Sequence, residues 1–189
     1  MIEWLINNPI IAGVITTLLM WTDWLLTRAQ EKERRTQYYK HYESYPVNTI
    51  EGNPMLRNEV AELKLFSLKH SMIAVVFGVF IALFLTFVPA HLTLFYLGFF
   101  WGIFLIVITQ HLSNLIAYRV SRKGIHGKIR MHLRTGYYIQ SGRYFASALL
   151  LLILSLLIQN IFLFGITIAA FISSLRMLIW ANKTPQIEE

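Results

Sequence analysis

Apolar residues run through this chain in long stretches, and the polar residues collect between them. Trp4–Leu26, Ser71–Leu92 and Leu94–Tyr118 are three such stretches, each close to the roughly 20 mostly apolar residues that one helical crossing of a bilayer needs. A further stretch, Phe145–Trp180, would make roughly 54 Å of helix at about 1.5 Å per residue. That exceeds one crossing, so it divides at Gln159-Asn160 into two helices joined by a tight turn. The pattern predicts an all-α integral membrane protein: a single five-helix transmembrane bundle with spans at about 4–26, 71–92, 94–118, 144–159 and 161–181. The long connections, 27–70 and 119–143, then lie on one side of the membrane.

Within the connections the pattern changes period. Arg28–Tyr45 is rich in helix formers and carries a Glu31–Arg35 pair at i,i+4, so the first helix is expected to run on past the bilayer. Tyr38, Tyr42 and Tyr45 repeat at helical spacing, which suits packing at headgroup level or an aromatic wall, and Pro46 ends the helix. Asn53-Pro54 reads as a helix start, with a capping side chain followed by proline where no amide bond is lost. Leu56, Val60 and Leu63 share a face of that helix, which is expected to continue through His70 into the second span with a bend near Lys69–Ser71. Lys128–Arg134 alternates polar and apolar residues strictly, and Gly124, Gly127 and Gly136 bracket it. That period fits a short strand or hairpin near 125–134, paired with Val47–Ile50.

Composition and charge turn this pattern into an address. The 189 residues are 56% hydrophobic, with mean hydropathy +0.51, beyond an ordinary soluble domain. Of 17 lysines and arginines, eight lie between Arg28 and Lys69 and seven between Arg119 and Arg143; Arg176 and Lys183 complete the set. Positive residues stay on the cytoplasmic side, so the N-terminus is expected outside and the C-terminus in the cytoplasm of a cell's inner membrane. The same asymmetry accounts for the net charge of +7 without nucleic acid. Anionic lipid headgroups are the expected contact of the basic loops. No cysteine is present, which rules out disulfides, thiolate metal sites and cysteine nucleophiles. The start of the chain predicts no cleavable signal peptide, since no positive residue precedes Trp4.

Small residues mark packing faces. Gly13, Thr16, Met20, Asp23 and Thr27 line one face of the first span; Gly98 and Gly102 form a GxxxG pair in the third, available for helix packing or oligomerisation; Gly165, Ala169 and Ser173 line the fifth. His111 falls roughly opposite Gly98 on its helix, which predicts a central third span touching neighbours on both sides.

The candidate chemistry follows from depth. Asp23, His70, His111, Asn114, Tyr118 and Arg176 all fall in the cytoplasmic third of the expected spans, and the outer halves hold nothing comparable. A charged residue deep in a bilayer costs about 2.5–3.5 kcal/mol, so such groups pair or face a wet cavity. Asp23, Glu51 and His111 are therefore expected to do acid–base work in a hydrated pocket open to the cytoplasm. Thr27, Asn53, His70, Asn114, Tyr118, Arg119 and Arg176 are expected to bind a ligand there, and a divalent metal is an alternative occupant. Each also has a structural reading: Arg176 snorkelling to headgroups, Asp23 bonded to Thr27, His111 as a packing histidine. No HExxH helix, Gly-x-Ser-x-Gly elbow or phosphate loop occurs.

Asp23-Trp-Leu-Leu-Thr27 followed by Glu51-Gly-Asn53-Pro54 resembles an Asp-x-x-x-Thr … Glu-x-Asn-Pro pattern of small uncharacterised prokaryotic membrane proteins. It covers about the first third of the chain and differs by a long charged insertion between its halves. The resemblance implies that Asp23, Thr27, Glu51, Asn53 and Pro54 form one constellation, and it carries no activity. Three functions remain in view: an embedded enzyme or binding protein for an anionic amphiphile, an oligomeric transporter or channel subunit, and an accessory subunit that docks a membrane-protein partner through its basic loops.

Overall fold

A computed structural model of the chain describes residues 8–36, 42–44, 51, 53–124, 127 and 129–184. In order along the chain the elements are α1 (Pro9–Thr36), β1 (Tyr42–Ser44), α2 (Arg57–Ala61), α3 (Leu68–Phe87), α4 (Ala90–Gly124), β2 (Ile129–Met131), α5 (Leu133–Leu157) and α6 (Ile161–Lys183). Five of these helices, α1, α3, α4, α5 and α6, are long and apolar enough to cross a membrane. Their surfaces agree with that composition. Along α3 the exposed side chains Val75, Val79, Leu83 and Phe87 follow one another at steps of four residues, an apolar stripe that a water-facing helix would not carry.

Local chemistry sets the boundaries. Pro9 opens α1, where its missing amide costs nothing. Ser67 caps α3 by accepting from the His70 amide at 2.9 Å. Asn160 caps α6 by accepting from the amides of Phe162 and Leu163 at 3.0 and 3.1 Å. Gln159, at φ +50°, makes the reversal before it, so the expected division of the last apolar stretch is where the chain turns. Pro89 separates α3 from α4, its carbonyl accepting from Leu92 and Thr93.

Three expectations give way at the charged end. The helix from Asn53 does not run into the second span. Asn53 Oδ1 accepts from the Met55 amide at 3.0 Å, but α2 lasts only five residues before Leu63 adopts φ +55°. The reason is lateral capture: Leu56 and Val60 bury against Trp24, and the indole Nε1 donates to Leu65 O at 3.1 Å. The second long connection is also shorter than expected, because α5 begins at Leu133 and Tyr144 and Ser141 lie buried in its first half. Tyr42 lies in extended backbone rather than on a helix, so no helical tyrosine row includes it; Tyr38, Tyr39, Tyr45, Pro46 and 47–50 lie outside the described residues. Ile129–Met131 is the expected short strand and pairs in parallel with Tyr42–Ser44, with Tyr42 opposite Ile129 and Ser44 opposite Met131.

The helices pack mainly in the sequence α3–α1–α4–α6–α5, with a slighter contact between α3 and α4. Glycines set the close approaches. A Cβ on Gly13 would stand 2.5 Å from Gly78 O, and one on Gly102 would stand 2.8 Å from Ile166 Cα. Gly98 meets the Phe162 backbone and Gly165 the Phe95 backbone as closely. The Gly98–Gly102 face is thus occupied within the chain by α6, which removes it as the expected oligomerisation surface. As α4 contacts α1 on one side and α6 on the other, it sits centrally. An apolar cluster of Ala12, Ile81, Leu85, Leu97 and Trp101 fills the bundle toward its far end.

Candidate functional site

The site is built between α1 and α4 at the charged end. Asp23, Thr27 and Gln30 stand at i, i+4 and i+7 on α1, one helical face; His111 and Tyr118 stand seven apart on α4. Docking these faces puts the His111 ring among the α1 side chains. Its Nδ1 is 2.6 Å from Gln30 Oε1. Its Nε2 is 3.1 Å from Thr27 Oγ1 and 3.3 Å from Asp23 Oδ1. Gln30 Nε2 in turn donates to the Tyr118 hydroxyl at 3.2 Å. Thr27 and Gln30 are buried, whereas the His111 and Asp23 side chains keep 19% and 31% of their surface accessible. One end of the cluster is therefore closed off and the other is partly open at the surface of the chain.

Asp23 Oδ1 itself is shut off from solvent and has no hydrogen-bond partner among the described residues. A buried carboxylate oxygen in that state is costly. The nearby imidazole relieves it when Nε2 carries a proton, because the 3.3 Å contact then becomes an ion pair.

Glu51 comes to the same neighbourhood from the connection before α2. Burial holds its carboxyl above the usual carboxylate range; the Asn53 amide opposes this, the Asp23 charge adds to it, and His111 and Arg57 oppose it. Asn53 N–H donates to Glu51 Oε1 at 2.7 Å, and Arg57 Nε donates to the Glu51 carbonyl at 3.3 Å. Asp23, Glu51 and His111 thus lie within mutual electrostatic reach.

The remaining candidates go elsewhere. His70 is buried between Trp21 and Trp24, edge-on to the first at 5.4 Å and stacked on the second at 4.9 Å, so it serves the α1–α3 contact. Asn114 accepts from Gln110 Nε2 on its own helix at 2.8 Å. Arg176 is exposed and lies over the Trp180 ring at 5.1 Å; no contact with Asp23 occurs among the described residues. Arg119 is exposed beside Tyr118. Among the described residues no group of three or more His, Asp or Glu is arranged to hold a metal ion. Two shallow concavities, of about 290 Å³ along Ser71–Val76 and about 210 Å³ at the α5–α6 turn, lie away from the cluster. The expected pocket thus contracts to a hydrogen-bonded network around His111.

Sequence reasoning passed over Gln30, although it continues the Asp23–Thr27 face by one turn. It follows Arg28, and the change to a charged composition hid the continuing period. It also passed over how deeply Glu31 is buried. That carboxylate receives Arg34 through both of its oxygens and Arg35 through one. Arg35 Nη1 and Arg28 Nε donate onward to the carbonyls of Ala61 and Leu63. This clamp fastens the α2 segment to α1, and with it the connection bearing Glu51.

No protein-family model, curated protein or solved structure matches this chain.

Proposed function

We propose that this protein is a multi-pass component of the cytoplasmic membrane, N-terminus outside and C-terminus inside, with a proton-handling site for an anionic amphiphile at the level of the inner leaflet. The supporting observation is the His111 ring, held between Gln30 on one side and Thr27 with Asp23 on the other. Three helix-borne polar groups meeting one imidazole, with a raised-pKa carboxyl nearby, suit transfer of a proton to or from a bound molecule. In this reading Asp23 and His111 exchange the proton, Glu51 assists from the loop, and Arg119 holds the anionic head while apolar helix faces hold its chains. In this reading Asp23 and Thr27 act directly on that ring and Glu51 acts on it through its charge. A membrane-embedded enzyme or binding protein follows. Transport has less support, because the cluster of Ala12, Ile81, Leu85, Leu97 and Trp101 fills the route to the far end with apolar side chains.

The test is native mass spectrometry of the protein released from nanodiscs of phosphatidylglycerol and phosphatidylcholine, with lipid extraction from the protein purified out of its own membrane. Arg119→Glu should lower phosphatidylglycerol retention several-fold, whereas Asp23→Asn and His111→Gln should retain amphiphile but alter which species co-purifies. Identical retention and identical species in all variants would sink the reading. Docking of a protein partner is a second reading, supported by the two-stranded ladder that β1 and β2 form in the basic connections. Charge reversal within Lys128–Arg134 should then release a co-purifying protein.

A further inference from the structure

A carboxamide looks symmetrical in outline, and its two ends are chemically opposite: the oxygen only accepts and the nitrogen only donates. At Gln30 the two contact lengths tell which end is which. The contact to His111 is 2.6 Å, short for any hydrogen bond to nitrogen and crowded for two nitrogens, so the amide oxygen belongs there. The contact to Tyr118 is 3.2 Å, longer than an O–H···O bond normally reaches and within the N–H···O range, so the amide nitrogen belongs there. The oxygen facing His111 cannot donate. Its partner Nδ1 must therefore carry the hydrogen.

The consequence falls on the other ring nitrogen. In the neutral ring Nε2 holds a lone pair, which the Thr27 hydroxyl satisfies at 3.1 Å. The same lone pair then faces Asp23 Oδ1 at 3.3 Å, a repulsive contact if both are bare. One proton between them turns it favourable, whether bonded to Nε2 or to the carboxylate. The groups facing the ring are Asp23, Thr27 and Gln30 from α1, with Tyr118 of α4 itself behind Gln30 and Glu51 acting at longer range.

We propose that Gln30, anchored by Tyr118, is a positioning residue that keeps His111 protonated at Nδ1 and thereby makes Nε2 and Asp23 Oδ1 the seat of a single exchangeable proton. The proton arrives at Nε2 as an acidic group of the bound molecule gives it up, or leaves Nε2 for a basic one; Nδ1 keeps its own throughout. This rests on the proton-handling reading above and deepens it by naming the atom that exchanges. Without Gln30 an imidazole in water favours hydrogen on Nε2, which would fix that hydrogen toward Asp23 and leave Nδ1 rather than Nε2 as the basic nitrogen.

Solid-state or solution ¹⁵N spectra of the histidine-labelled full chain test this, with His111 among the six histidines assigned by its loss in His111→Gln. In wild type the neutral His111 ring should show hydrogen on Nδ1. Gln30→Leu should move the tautomer ratio toward Nε2 by roughly tenfold, the effect of one buried hydrogen bond. Gln30→Glu, which keeps an acceptor oxygen, should restore the wild-type signature. Should Gln30→Leu not yield folded protein, Tyr118→Phe decides, since it removes only the anchor and should shift the ratio the same way by a smaller factor. A wild-type ring with hydrogen on Nε2, or a signature indifferent to both substitutions, overturns the proposal. The readout needs no bound amphiphile: loss of lipid selectivity with the signature intact would remove the functional reading alone.

Discussion

Asp23 and Glu51 are both acids near His111, and their surroundings separate their behaviour. Glu51 sits outside the spans with its carboxyl held above the usual range by burial. A raised folded pKa means that the protonated form is the one the fold favours, so its stabilising effect is full below the unfolded value near 4.5 and is lost as pH rises through the folded value. Glu51→Gln should therefore flatten the loss of thermal stability across that interval and leave the variant the more stable protein at neutral pH. A melting-temperature series against pH checks it, and a variant less stable than wild type at pH 7 contradicts it. Glu31 is the opposite case, fully buried but paired with Arg34 and Arg35. Glu31→Ala takes the carboxylate away from both guanidiniums and should cost about 2 kcal/mol in denaturant unfolding, below the about 3–5 kcal/mol of a fully buried pair because Arg35 reaches solvent and keeps its bond to the Ala61 carbonyl. The carboxylate matters here as a fastening for α2.

At the scale of elements, the contacts between helices depend on missing side chains. Gly13 against Gly78 brings α1 to α3, and Gly98, Gly102 and Gly165 bring α4 to α6. Polar side chains lock the other two seams, α1–α4 and α5–α6: Trp101 Nε1 donates to Thr16 Oγ1 at 3.0 Å, and Ser141 and Ser174 each donate to the other's carbonyl at 3.0 Å. Gly102→Leu should force α4 and α6 apart and destabilise the protein by about 1–3 kcal/mol, as overpacking does. Gly142→Leu is the control, since a Cβ there meets nothing within 4 Å. Comparing the two in detergent unfolding checks the assignment; equal losses would show that bulk alone matters. The α1–α4 seam carries the site because its polar residues fall at helical steps on facing surfaces. Any substitution that rotates α4 through the Gly102 contact is expected to separate His111 from Asp23 as well.

For the whole molecule, the His111 cluster lies toward the charged end of α1 and α4, while the cluster of Ala12, Ile81, Leu85, Leu97 and Trp101 fills toward the other. The chain contains no cysteine, so single introduced thiols report topology cleanly. Asn58 in α2 and His91 at the start of α4 are exposed and flank α3 in the chain. With the proposed orientation, a membrane-impermeant maleimide should label His91→Cys in intact cells, and Asn58→Cys only after permeabilisation. The reverse pattern would invert the orientation and put the candidate site on the outer face.

Hydrophobic period and length alone determined the five long apolar helices, the turn at Gln159-Asn160 and the packing faces, because burial in lipid or protein demands apolar residues at regular steps. The spacing of Asp23 and Thr27 also placed these two on one face, and the depth of His111 matched theirs. Only the tertiary structure decided which of the polar residues meet. Helix rotation and docking left Arg176 and Asn114 out of the cluster, each against a neighbour one turn away on its own helix, buried His70 between two tryptophans, and brought in Gln30, whose period a change of composition concealed. The early end of α2 was equally invisible, since it depends on Trp24 reaching across to Leu65. Contacts between residues far apart in the chain depend on how two surfaces turn toward each other, and no local pattern encodes that angle.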